Sequence, residues 1–163
     1  MCKLKVSDII TEIEETFIDY GTFFEVTNVT QEEVKNDLKY QDGFKMLTNE
    51  YTKDTTFCVE INESKFLNDK NYDKEWFKIA YGEIVAYVCL RCDNNDVNIS
   101  AFEVCEDYRN EGYGGIIVKA IETYAKKNGI EKIYVSAFDS SAESFWKHIG
   151  FVEDNNGYLY KEV

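Results

Sequence analysis

Apolar residues near the start of the chain recur at helical spacing. Ile9, Ile10, Ile13, Phe17 and Tyr20 lie three or four positions apart, which places them on one face of a helix. Ser7 or Asp8 is positioned to cap that helix. After Gly21, the short run Phe23-Phe24-Glu25-Val26 fits neither period clearly. Thr30-Gln31-Glu32-Glu33 is a capping box: Thr30 can accept from the amide three residues on while Glu33 reaches back. Val34, Leu38 and Phe44 then continue an apolar stripe. Residues 50 to 73 are polar and irregular, with one strand-like run at Thr56-Phe57-Cys58-Val59-Glu60.

The second half has a sharper pattern. Glu75 to Ala80 and Glu83 to Arg91 alternate as strands about a tight Tyr81-Gly82 turn, which predicts a hairpin. The turn Asp93-Asn94-Asn95-Asp96 leads to a third strand, Val97 to Val104. A glycine-rich turn at Glu111 to Gly115 opens a helix whose apolar face is Ile116, Ile117, Ala120, Ile121, Tyr124 and Ala125. Lys126-Lys127-Asn128-Gly129 is its stop. Ile130 to Phe138 is a strand, and Ala142 to His148 a short helix ending at Gly150. Phe151-Val152 and Tyr158-Leu159-Tyr160 form a last strand pair around Asn155-Asn156-Gly157. Helices, three antiparallel strands, helix, strand, helix and strands make an α+β plan around one mixed sheet.

Composition narrows the class. At 163 residues, with no proline and no linker-like stretch, the chain reads as one domain, 1–163. Its longest apolar runs are too short to span a membrane. The N-terminus lacks the apolar core of a signal peptide, so the expectation is a cytoplasmic protein. Eighteen basic against 31 acidic residues give a net charge of −13. This disfavours nucleic acid as a partner and favours cationic small molecules or basic peptides near the surface. An anionic ligand would have to be held by local features. Five cysteines without a secretory signal predict free thiols. Cys89-Leu-Arg-Cys92 has zinc-knuckle spacing, but no second pair follows and strand positions three apart face opposite ways, so no metal is expected.

The informative stretch is Arg109-Asn110-Glu111-Gly112-Tyr113-Gly114-Gly115, between a strand and a helix. Glycines let successive amides turn toward a ligand without a Cβ in the way. The helix start supplies unpaired N–H groups and the positive end of a dipole, and Arg109 adds a formal charge. Together they predict a pyrophosphate cradle; a ligand-free strand-to-helix turn is the other reading. The pattern is neither a Rossmann fingerprint, which follows a parallel strand, nor a P-loop, which needs Gly-Lys-Ser/Thr.

Val104-Cys105-Glu106-Asp107-Tyr108-Arg109-Asn110-Glu111-Gly112-Tyr113-Gly114 resembles the acetyl-CoA signature of the GNAT acetyltransferases, Val-x-x-x-x-Arg/Gln-x-x-Gly-x-Gly/Ala. Ala142-Glu143-Ser144-Phe145-Trp146-Lys147-His148-Ile149-Gly150-Phe151 resembles the family's second block, Ala-x-x-Phe-Tyr-x-x-x-Gly-Phe. The resemblance implies a mixed, mostly antiparallel sheet flanked by helices, with a V-shaped splay between the central strands. Residues 74–163 would be the acetyl-CoA core and 1–73 the acceptor-side helices. Backbone groups of Phe102 and Val104 would pair with the pantetheine arm, and the sheet edge near Val104 would polarise the thioester carbonyl. Amides from Arg109 to Gly115 would hold the pyrophosphate, and an amine acceptor would enter from the other side. Assembly as a homodimer is left open.

Two positions depart from the family. Trp146 stands where a tyrosine usually protonates the leaving thiolate, and an indole N–H is not a useful acid near neutral pH. It is expected as an aromatic wall against the pantetheine or the core. Asp139 stands where an asparagine is common. Tyr108, Tyr113, Tyr134 or water could replace the acid. Glu103, on the strand beside the expected thioester, is the candidate base, with an ion-paired or solvated strand residue as the other reading. Many members carry their base farther back, near Asn98. Without turnover, the same fold would be a coenzyme A-binding or regulatory module.

Overall fold

The computed structural model describes residues 4–30, 33, 73–81, 83–93, 95–135 and 140–163. Helix α1 spans Val6–Asp19 and buries Ile9, Ile13 and Phe17, the residues that its spacing selected. Its N-cap is Lys5, whose side chain makes no capping bond. Ser7 and Asp8 are therefore inside the first turn and do not cap it; Asp8 still places a negative charge at the positive end of the dipole. Ahead of the helix, the Lys5 amide donates to Tyr124 Oη at 3.0 Å.

The segment around Phe24 resolves into β1, Glu25–Val29, which pairs antiparallel with β2, Asp73–Tyr81. The capping box forms as expected: the Thr30 amide donates to Glu33 Oε2 at 3.0 Å and the Glu33 amide to Thr30 Oγ1 at 3.2 Å. The helix that it predicts, the strand-like run at 56–60 and Gly82 lie outside the described residues.

Strands β3, Glu83–Asp93, and β4, Asp96–Val104, complete the antiparallel meander. Helix α2, Tyr113–Lys127, carries the chain to β5, Lys132–Val135, which lies parallel to β4. Helix α3, Ser140–His148, precedes β6, Val152–Glu153, and β7, Leu159–Glu162. The sheet order is β1-β2-β3-β4-β5-β7-β6. The last strand pair was expected from sequence; its second member inserts between β5 and the first. Asp154 builds the turn between them, its Oδ1 accepting from the amides of Asn156 and Tyr158, both at 2.9 Å.

One face of the sheet carries the main core. Phe77, Ile79, Val88, Leu90, Ile99, Ile133 and Leu159 meet Ile13 and Phe17 of α1, Ile117 and Ile121 of α2, and Trp146 of α3. Each such side chain contributes about 1.5–3 kcal/mol of burial, so packing and not helix propensity decides where α1 and α2 lie. Two lysines tie the helices together. Lys127 Nζ donates to Glu12 Oε2 at 2.7 Å, and that hydrogen bond, aided by the carboxylate's charge, raises the Lys127 pKa. Lys161 Nζ reaches Glu122 Oε1 at 2.7 Å and the Ile149 carbonyl at 2.9 Å, joining β7, α2 and α3.

The other face carries a smaller cluster of Tyr87, Cys89 and Cys105, with Ala101 packed against it. Cys89 and Cys92 therefore point to opposite faces, Cys92 joining the main core. Cys89 and Cys105 are free and buried. Cys92 is disulfide-bonded, which corrects the expectation of free thiols throughout: an odd count rules out complete pairing, not one cross-link. No helix among the described residues is long and apolar enough to cross a membrane.

Candidate functional site

The site grows out of the end of β4. Ser100 is an extra residue there: Leu90 of β3 is opposite Ile99, but Cys89 is opposite Ala101. Pairing of β4 with β5 covers Asp96–Ile99, and the strand then runs on to Val104 alongside β3. Ser100 Oγ is buried there without a hydrogen-bond partner. The bulge points Ala101 and Glu103 to one face, and Phe102 and Val104 toward the helices.

After β4 the chain turns sharply. The Cys105 amide donates to the Val85 carbonyl at 2.7 Å, anchoring the turn to β3. A short 3-10 turn, Glu106–Tyr108, follows, closed by Tyr108 N–H to Cys105 O at 2.8 Å and Arg109 N–H to Glu106 O at 3.3 Å. Asn110 then adopts a left-handed conformation, φ 64°, and Gly112 another, φ 85°, as the N-cap of α2. Gly112 adjoins the right-handed first turn of α2, and a left-handed residue next to right-handed ones turns successive amides to the same side, the geometry of an anion-binding concavity. Ile116 is the first α2 residue whose amide finds a backbone acceptor in that turn, the Gly112 carbonyl at 3.2 Å. The amides of Gly114 and Gly115 ahead of it therefore point out of the helix end. Among the described residues, nothing lies within 4 Å of a Cβ built on Gly112 or Gly115.

Arg109 departs from expectation. Its Nε donates to the Val104 carbonyl at 2.9 Å and its Nη2 to the Glu103 carboxylate. The guanidinium folds back onto the strand end because its fork matches a carboxylate beside a carbonyl. Its formal charge is thus matched by Glu103, and its own amide is engaged by Glu106. The guanidinium charge is therefore not left over for an anion in the concavity, and Glu106, Asp107 and Glu111 are exposed nearby. Glu103 is correspondingly an ion-paired strand residue, and a carboxylate held by a guanidinium is ill placed to accept an amine's proton.

Trp146 is buried at 2% exposure among Phe102, Phe145 and Phe151, with ring centroids 5.4, 5.0 and 5.1 Å away. Of the two surroundings expected for it, the structure gives the core. Phe145 is the residue that sequence reading passed over. Its ring stacks on Phe102 at 6.2 Å and lies directly against Gly114. Tyr113 packs instead toward Phe24, with centroids 5.2 Å apart, and Tyr108 lies 6.2 Å from Tyr113. Tyr134 stands beside Tyr160 at 5.7 Å and is paired with Asn98. Asp139 lies outside the described residues.

Comparison with known proteins decides what this arrangement belongs to. The sequence profile of the acetyltransferase (GNAT) family matches residues 40–151. The chain belongs to that family. Acetyl-CoA is the co-substrate of this GNAT protein. Solved structures of GNAT proteins share the fold. A GNAT-family acetyltransferase of Staphylococcus aureus Mu50 is 20% identical, with TM-score 0.57 over 85% of this chain and 98% of that one. Tetrahymena GCN5 is 14% identical, with TM-score 0.55 over 87% and 96%. A GNAT-family acetyltransferase of Elizabethkingia anophelis, solved with acetyl-CoA bound, is 17% identical, with TM-score 0.52 over 86% and 98%. No curated protein sequence is similar enough to this chain to count as a relative.

Proposed function

We propose that this GNAT protein is an N-acetyltransferase that moves the acetyl group of acetyl-CoA to a primary amine of a small molecule or peptide. The observation that carries the reading is the concavity at the start of α2, with left-handed Asn110 and Gly112 and, among the described residues, nothing crowding Gly112 or Gly115. The pyrophosphate would take the amides from Asn110 to Gly115, favoured by the helix dipole. The pantetheine arm would run along β4 at Phe102 and Val104. An amide at that strand edge would polarise the thioester carbonyl and hold the oxyanion as it forms.

The amine nitrogen attacks the carbonyl carbon; a C–N bond forms and the C–S bond breaks, releasing coenzyme A. Among the described residues Glu103 is engaged by Arg109 and Asn98 carries no carboxylate, so water would take the amine's proton. The position of the family's tyrosine is a buried indole, so the leaving thiolate would take its proton from water or from one of Tyr108, Tyr113 and Tyr134. The net charge of −13 favours a cationic acceptor by attraction toward the surface.

The buried indole also favours a second reading, a coenzyme A-binding module with weak or no turnover. Incubation of the protein with acetyl-CoA and a panel of polyamines, aminoglycosides and basic peptides separates the two. Amine-dependent release of free thiol supports the transferase. Saturable binding of acetyl-CoA with no thiol release above background sinks it and leaves the binding module.

A further inference from the structure

We infer that Glu103 is a positioning residue for coenzyme binding: through Arg109 it fixes the pyrophosphate loop to the end of β4 before any ligand arrives. This rests on the proposed use of that loop. The start of the chain between Val104 and Gly112 is held by the Cys105 amide on Val85, and its middle by the 3-10 turn and by Tyr108, which packs against both apolar clusters. Arg109 comes directly before Asn110, the first left-handed residue of the concavity. The Arg109 side chain spans back across five and six residues to the Val104 carbonyl and the Glu103 carboxylate. Two donors of one rigid fork on two acceptors of one strand define the orientation of Arg109, and with it the direction in which the Asn110 peptide leaves.

A concavity built from neutral amides gains affinity by being formed in advance, because the ligand then does not have to order it. The side chain of Glu103 is 22% exposed and that of Arg109 50%, so solvent screens the pair and its effect is moderate. Removing the carboxylate frees the fork to move and lets the loop sample shapes in which the amides diverge. Glu103 acts here through Arg109 and touches no reacting atom.

The test is a comparison of Glu103→Gln, Arg109→Gln and the double variant with the unaltered protein. Dissociation constants for acetyl-CoA and for coenzyme A, KM and kcat would be measured for each. A positioning role predicts that each single change weakens binding of both coenzymes about three- to tenfold. The double variant should be little worse than either single one, with kcat at saturating acetyl-CoA within about twofold. A base role for Glu103 predicts the reverse: kcat falls in Glu103→Gln, its pH profile loses the acid limb, and the dissociation constants stay put. That result, or unchanged affinity in both single variants, overturns the inference. If Glu103→Gln folds poorly, Arg109→Gln decides alone, since glutamine is a residue the family motif accepts there. Failure of the unaltered protein to bind acetyl-CoA would instead remove the proposed function itself.

Discussion

Gly114 and Phe145 are in direct contact: a Cβ built on Gly114 would come within 3.2 Å of Phe145 Cζ and 3.6 Å of Phe102 Cε1. The first turn of α2 thus rests on the aromatic pair that joins β4 to α3, and the height of the amide concavity above the strand depends on that closeness. Gly114→Ala asks the Phe145 ring to yield by a few tenths of an ångström and should cost little. Gly114→Val cannot be absorbed so cheaply and should lift the start of α2. We expect acetyl-CoA affinity to fall about tenfold or more in the valine variant while alanine stays near the parent. Equal affinity in all three, measured by titration calorimetry, would show that this contact does not set the site.

Gly112 is under a different constraint. Its φ of 85° is left-handed and the space beside it is empty, so alanine meets backbone strain and no clash. Gly112→Ala should lower stability by about 1–2 kcal/mol. Gly112→Asp should add to that strain a carboxylate in the space assigned to phosphate, and abolish coenzyme binding. Denaturant melts separate the strain, and a comparison of acetyl-CoA affinities separates the charge. Binding as strong in the aspartate variant as in the alanine one would remove the phosphate assignment.

Trp146 fills the core between Phe102, Phe145 and Phe151, so its loss should be felt as stability. Trp146→Ala should cost about 3–5 kcal/mol. Trp146→Tyr places a hydroxyl among apolar rings and should cost about 1–3 kcal/mol if it finds no partner. Because the side chain faces the core, restoring the family's tyrosine should not raise turnover. A several-fold gain in kcat in Trp146→Tyr would place this position at the reacting thioester after all.

Salt should act in an unusual direction. With Arg109 matched by Glu103 and a net charge of −13, the anionic coenzyme meets neutral amides on an acidic body. Raising ionic strength from about 50 to 300 mM screens the repulsion, so affinity for acetyl-CoA should hold steady or improve. A steep loss of affinity with salt would mean that cationic side chains, not amides, carry the binding.

The residues that sequence reading found were those whose signal is local. The apolar faces of α1 and α2 repeat every three or four residues, and the glycine loop is contiguous, so both could be placed without partners. Strand β1 could not: in Glu25–Val29 only Val26 is buried, and its partner strand lies some fifty residues away. The insertion of β7 between β5 and β6 is likewise a long-range choice that a hairpin signal does not contain. Glu103 and Arg109 were both singled out, one as a base and one as a free charge. What the sequence could not show is that the turn between them brings their side chains together. The Ser100 bulge depends on register with β3, which no single strand reveals. Trp146 was the more legible case, since Ala142, Phe145, Trp146 and Ile149 already follow a helical apolar stripe.

Thermal stabilisation by acetyl-CoA, with coenzyme A and NADH as comparisons, tests the central claim most directly. At about one hundred times its dissociation constant, a specific ligand adds about 2.7 kcal/mol to the folded state, which for a chain of this size raises Tm by about 5–10 °C. The account predicts a shift of that order with acetyl-CoA and coenzyme A and none with NADH. No shift at about millimolar acetyl-CoA, or an equal shift with NADH, would contradict it and leave the glycine loop a turn without a ligand.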